Sequence, residues 1–202
     1  MVAIKPSGVA YHALRAEDIV LVSFDGDVVE RALAPSSDTR AHLALYRAWP
    51  EVGGVVHTHS AFATMFAQAR RPIPCLGTTQ ADAFYGEVPV TRPPTANEVA
   101  DDYETAVGTV IVERFGDLDR AAIPGVLVAG HGPFTWGRDA ADAVRNAVAL
   151  EAVARMALGT LQLNPDAPAL ERHLLDKHHR RKHGPDAYYG QRPPREGPRN
   201  PP

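Results

Sequence analysis

The stretch Gly53-Gly54-Val55-Val56-His57-Thr58-His59-Ser60 joins a β-branched run, two histidines and a helix cap. Val55 and Val56 favour a strand. On a strand, residues i and i+2 share a face, so His57 and His59 project side by side as a natural pair of metal ligands. A solvated or core-satisfied pair has the same spacing, so this motif alone does not decide the chemistry. Ser60 then caps a helix in which Phe62, Met65, Phe66 and Ala69 recur at the spacing of one buried face.

A second strand reads the same way. Gly125-Val126-Leu127-Val128-Ala129 ends at Gly130-His131-Gly132-Pro133. Glycines on both sides of His131 let backbone and ligand approach closely. Three histidines at strand ends resemble a His₃ zinc site with an open coordination position, and imidazole also suits other divalent metals such as Mn²⁺. Further out, Ile19–Ser23 and Val28–Glu30 flank Asp25-Gly26-Asp27 as a hairpin, and Val2–Ile4 is a strand-like triplet. Ser36-Ser37-Asp38-Thr39 caps a helix that stops at Trp49-Pro50. The broad apolar stripe from Asp139 to Leu161 predicts the longest helix, and a last one spans 168–182. Val107–Phe115 fits a helix or a strand. The mixture is α/β or α+β, without a strict βαβ alternation or a GxGxxG turn, which argues against a dinucleotide-binding Rossmann domain.

The 202 residues suit one domain over 1–190, followed by a disordered tail at 191–202 that lacks any apolar anchor. Lys+Arg is 21 against 24 for Asp+Glu, so the net charge of −3 argues against a dedicated nucleic-acid binder. One cysteine, Cys75, excludes an intrachain disulfide framework and a Cys-rich zinc site. No apolar run approaches the roughly 20 residues of a membrane span, and no leader opens the sequence, so a cytoplasmic location is expected.

Other residues carry weaker signals. Asp38 fits a fourth, carboxylate metal ligand and equally a plain N-cap. Lys5-Pro6-Ser7-Gly8 and Ser36-Ser37 offer hydroxyls and amides for an anion. The loop Gly77–Gly86 carries Asp82, a candidate general acid or base. The basic run Asp176–His183 reads as a solvated helix face, and Tyr188-Tyr189 beyond it is packing or a proton-transfer group.

Together, IKPSGV (4–9), PSSDT (35–39), GGVVHTHS (53–60), GTTQADAFYG (77–86), PGVLVAGHGPF (124–134), LLDKH (174–178) and RKHGPDAYYGQ (181–191) resemble the class II aldolase/adducin family, in order and across nearly all of residues 3–191. The resemblance implies a three-layer α/β/α fold around a central, mainly antiparallel sheet. It implies a zinc-type divalent metal on His57, His59 and His131 with Asp38 beside them, and a substrate phosphate held by Ser7, Gly8, Ser36 and Ser37. Asp82 and Tyr189 would be the acid/base pair. The implied assembly is a homotetramer with sites between subunits.

Asp38 and the DAFYG and AYYGQ motifs favour the family's epimerase branch, which interconverts L-ribulose 5-phosphate and D-xylulose 5-phosphate in pathways such as arabinose catabolism. The alternatives are a sugar-phosphate aldolase and a truncated, adducin-like assembly module. Gln80 and Ala83 stand where the family pattern has histidine and tyrosine, and Ala129-Gly130 replaces a His-Ser type pair. The usual N-terminal helix and strand, with its Gly-Asn motif, are missing ahead of Lys5.

Overall fold

The computed structural model describes residues 1–30, 33–184 and 187–188. Tyr189 and the tail expected at 191–202 lie outside them. The sheet that carries the histidines has three antiparallel strands: β4 (Gly54–His57), β5 (Gly125–Leu127) and β6 (Pro133–Gly137), in the order β4-β6-β5. The central strand, β6, gives little sign of itself in sequence, because it opens on a proline. Proline is tolerated as the first residue of a strand, and Pro133 holds that place.

Side chains alternate across this sheet as its pleat requires. Val126, Phe134 and Trp136 meet Ala41, Leu45 and Trp49 of α1 (Thr39–Ala48) and Val107, Val110 and Ile111 of α4 (Ala96–Arg114). Leu127 turns to the other side, onto Ala63 and Phe66 of α2 (Ala61–Ala69) and Leu150 and Val153 of α5 (Ala140–Leu163). Helices therefore cover both faces, giving the expected α/β/α layering. Burial on both faces also explains why Gly125–Ala129 is a continuous apolar run rather than an alternating one.

The antiparallel character holds, but the described strands form two sheets, not one. β1 (Val2–Ile4), β2 (Val20–Val22) and β3 (Val28–Glu30) make the second, and Val2, Ile4, Val20 and Val22 bury against Leu43 of α1. The segment around Val107 is helix, and a capping box of Thr95 and Glu98 starts α4. Ser60 stands at the head of α2 without making a side-chain cap. Glu151 of α5 replaces it, accepting from the amides of Phe62 and Ala63 at 2.9 Å each. A carboxylate at the positive end of a helix does the same work as a cap. The loop expected at 77–86 contains a single helical turn, α3 (Thr78–Ala81), and the last helix, α6, runs Arg172–His183. No helix among the described residues is long and apolar enough to cross a membrane.

Candidate metal centre

β4 ends at His57, so the strand pleat does not by itself pair His57 with His59. Thr58 and His59 follow without regular structure, and the two rings still come to 5.0 Å, centroid to centroid. His57 stacks on its cross-strand partner Phe134 at 4.1 Å and 15°. His131 enters from the β5–β6 turn, which closes through Val128 N–H to Gly132 O at 2.9 Å. Gly132 makes the approach possible: a Cβ there would meet the Thr58 carbonyl oxygen at 2.8 Å and His59 Cδ2 at 3.2 Å. One ligand atom from each of the three histidines falls within 4.8 Å of the others.

The protonation pattern suits a metal. His57 Nδ1 lies 2.9 Å from the Pro133 carbonyl, which can only accept, so Nδ1 carries the hydrogen and Nε2 keeps its lone pair. Burial, then the neighbouring His131, pulls His57 down to about 4, outweighing that hydrogen bond. Burial, then His59, also lowers His131. The Nε2 atoms of His57 and His131 are 3.0 Å apart. With both Nε2 atoms offered as ligand atoms, their lone pairs would repel at that distance, and a cation between them would remove the conflict. Tetrahedral zinc sets its nitrogen ligands about 3.3 Å from one another, given bonds of about 2.0–2.1 Å. The three imidazoles therefore fit a divalent metal.

Asp38 occupies the N-cap position of α1 but makes no cap with its side chain. Its carboxylate accepts from Ser36 Oγ at 3.3 Å and acts electrostatically on His57, His131 and His42. It stands beside the histidine group rather than within the 4.8 Å cluster. A cavity of about 650 Å³ opens here, lined by Lys5, Ser36, Asp38, His42, His57 and Thr58 on its polar side. His42 was not singled out by sequence, although it lies one helical turn beyond Asp38, where i and i+4 meet. Burial, then His57, lowers His42 to about 4.

The two expected anion motifs are brought together. Pro6 bridges Pro35, Ser7 N–H donates to Ala34 O at 2.9 Å, and Ser36 N–H donates to Lys5 O at 3.0 Å. Their exposure differs. Ser36 is buried, with both its amide and its hydroxyl engaged, whereas Ser7, Gly8 and Ser37 are exposed.

Asp82 lies elsewhere in the chain. It caps α3 and is held by α6: Arg181 donates through Nε and Nη2 at 3.1 and 2.7 Å, His178 Nδ1 lies at 3.1 Å and Lys182 Nζ at 3.3 Å. Burial raises its pKa, but these contacts outweigh burial and hold the carboxyl below its ordinary value. Asp82 does not line the cavity with the histidines. The basic run is correspondingly not just a solvated face, since much of it turns inward onto Asp82. Gln80 is buried, and its amide donates to Ile73 O and Gly86 O, bracing the loop from within. Ala83 packs against the α2–α5 core.

Residues 1–158 match the model for the Class II Aldolase and Adducin N-terminal domain. The chain belongs to this family. An L-ribulose-5-phosphate 4-epimerase UlaF of Salmonella paratyphi A is 53% identical over 192 residues, which is 95% of this chain and 84% of that protein. The protein of the same name in Salmonella typhi matches equally. Among solved structures, an L-fuculose 1-phosphate aldolase superposes with a TM-score of 0.71 at 23% identity, over 87% of this chain and 77% of that one. An aldolase II superfamily protein from Pseudomonas syringae gives 0.70 at 16% identity, over 92% and 72%. These structures share the class II aldolase fold. Class II aldolases use a divalent metal, and here the histidine triad could hold it.

Proposed function

We propose that this chain is a metal-dependent L-ribulose-5-phosphate 4-epimerase, converting L-ribulose 5-phosphate to D-xylulose 5-phosphate and back. The observation that carries this reading is the 53% identity to epimerases across 95% of the chain, with the histidine triad assembled. The substrate's C4 bears no acidic C–H, so enolisation cannot invert it. Breaking the C3–C4 bond, turning the aldehyde fragment and re-forming the bond can. A divalent ion on His57, His59 and His131, zinc in our assignment, would stabilise the negative charge left on the ketose fragment as a Lewis acid.

The chain's own groups supply the rest. Ser7, Gly8 and Ser37, exposed and close in the chain to Lys5 and Ser36 of the cavity lining, are assigned to the phosphate, which anchors the aldehyde while it turns. Ser36 serves that site by clamping the two loops and by orienting Asp38. Asp38 is assigned to the metal's acidic side. Epimerisation needs proton transfer on both faces of the aldehyde, and Asp82 and Tyr189 are assigned to those two places. A homotetramer with sites between subunits explains why Asp82 and the triad sit in separate clusters of one chain. A cytoplasmic location goes with a phosphorylated substrate.

The test is incubation of metal-loaded protein with L-ribulose 5-phosphate. D-xylulose 5-phosphate is the expected product. Net release of a two-carbon aldehyde phosphate would instead mark an aldolase, and bound metal without turnover would defeat the reading.

A further inference from the structure

We propose that Tyr103 is a positioning residue of the metal centre, whose hydroxyl fixes the His131 ring so that Nε2 faces the other two imidazoles. The inference rests on the metal-centre reading above. Tyr103 Oη lies 2.6 Å from His131 Nδ1, and the two rings are nearly parallel, 10° apart with centroids at 5.9 Å. The other ring nitrogen, Nε2, faces His57 Nε2 at 3.0 Å. With Nε2 as the ligand atom, Nδ1 carries the hydrogen and donates it to the tyrosine oxygen. His57 does the same toward the Pro133 carbonyl. Such outer partners set the tautomer and the ring orientation of a metal-binding histidine.

Burial does not hold Tyr103 in place, since it is 37% exposed. Its helix does. α4 breaks at Asp102, where φ is −156° and ψ is 94°. The Asp102 carboxylate then caps the helix that follows, accepting from Thr105 N at 3.1 Å and Thr105 Oγ1 at 2.7 Å. It also accepts from Arg40 of α1 at 2.7 Å. Three residues beyond Thr105, Gly108 lets the two helices touch: a Cβ there would meet Ala44 Cβ at 2.5 Å and Ala41 O at 3.0 Å. Tyr103 is the first residue after the break, on a helical start pinned to α1, and α1 is the helix that begins beside Asp38. The break thus aims one phenol at the imidazole that the β5–β6 turn delivers.

The experiment compares the full-length wild type with Tyr103→Phe, Tyr103→Leu and His131→Ala, each stripped of metal. Zn²⁺ is titrated against a chromophoric chelator, and Co²⁺ is titrated while its visible absorption is recorded. The melting midpoint of each metal-free protein controls for folding. Tyr103→Phe keeps the ring stack and loses only the oxygen. It should still bind one metal per chain, with affinity lowered about 10–100-fold, a changed Co²⁺ spectrum and an unmoved metal-free midpoint. Tyr103→Leu should bind no more tightly than Tyr103→Phe. Wild-type affinity and spectrum in Tyr103→Phe, alongside loss of metal in His131→Ala, overturns the role of Tyr103 and leaves the metal centre standing. Wild-type affinity in His131→Ala overturns both.

Discussion

Two polar clusters of this chain are built on opposite plans. The histidine triad is assembled by the sheet, from β4 and the β5–β6 turn, and its rings face one another, with burial lowering the pKa of His57 and His131. The Asp82 cluster is assembled by a short helical turn and the basic end of α6, and its carboxylate is locked among cations. The first plan suits a cation that must stay put. The second suits a group that must be delivered or released, because a carboxylate held below its ordinary pKa by two or more partners is a poor proton acceptor until they move. On the roles proposed above, the metal half of the chemistry would thus be self-contained within one chain and the proton-transfer half would not.

The sharpest way to break that contrast is at the triad. His57→Ala should lower metal affinity by well over the ~100-fold that an outer partner costs, and abolish turnover with it. Metal analysis and the epimerase assay check this. Asp82→Asn should lower turnover by about 10²–10⁴-fold while metal content stays near wild type. If that variant loses its metal, the two clusters are not independent.

Phe134→Ala should destabilise by about 3–5 kcal/mol in denaturant unfolding, because the ring is fully buried, and should loosen the metal by removing the stack under His57. Gly132→Ala should cost about 1–3 kcal/mol by crowding the Thr58 carbonyl, and should weaken metal binding without touching a ligand.

The burial of His57 and His42 also acts through pH. His57 and His42 stay neutral in the fold down to about 4, whereas unfolded histidine binds its proton near 6.5. The unfolded chain therefore takes up more protons through that window, and stability falls as pH drops from 6.5 to about 4. Melting midpoints of the metal-free protein across that range should decline, and His57→Ala should flatten the decline.

How much of this was legible in sequence depends on how local each cause is. The glycines around His131 were readable, since glycine freedom acts over a few residues; the closeness of His57 and His59 was readable too, although β4 stops at His57 and the pleat is not what pairs them. The two anion motifs were also readable, but not the bridge between Pro6 and Pro35 that makes Ser36 a clamp. β6 was hidden by its opening proline and by the lack of an alternating pattern on a strand covered on both faces. Tyr103 carries no local signal at all. Its meaning depends on a break at Asp102 and on a turn twenty-eight residues away. Gln80 and Ala83 depart from the family pattern, and the hydrogen bonds of Gln80 show that a position can leave that pattern and still brace the loop around Asp82.

The strand order β4-β6-β5 has a consequence for the newborn chain. As the polypeptide leaves the ribosome, β4 has no partner among the described strands until β6 has been made, roughly eighty residues or about 4–16 s of synthesis later. His57, the last residue of β4, waits through that interval without its strand partner. A metal on the triad would therefore have nothing complete to bind until the β5–β6 turn has been made, and it would join a fold already under way rather than nucleate it.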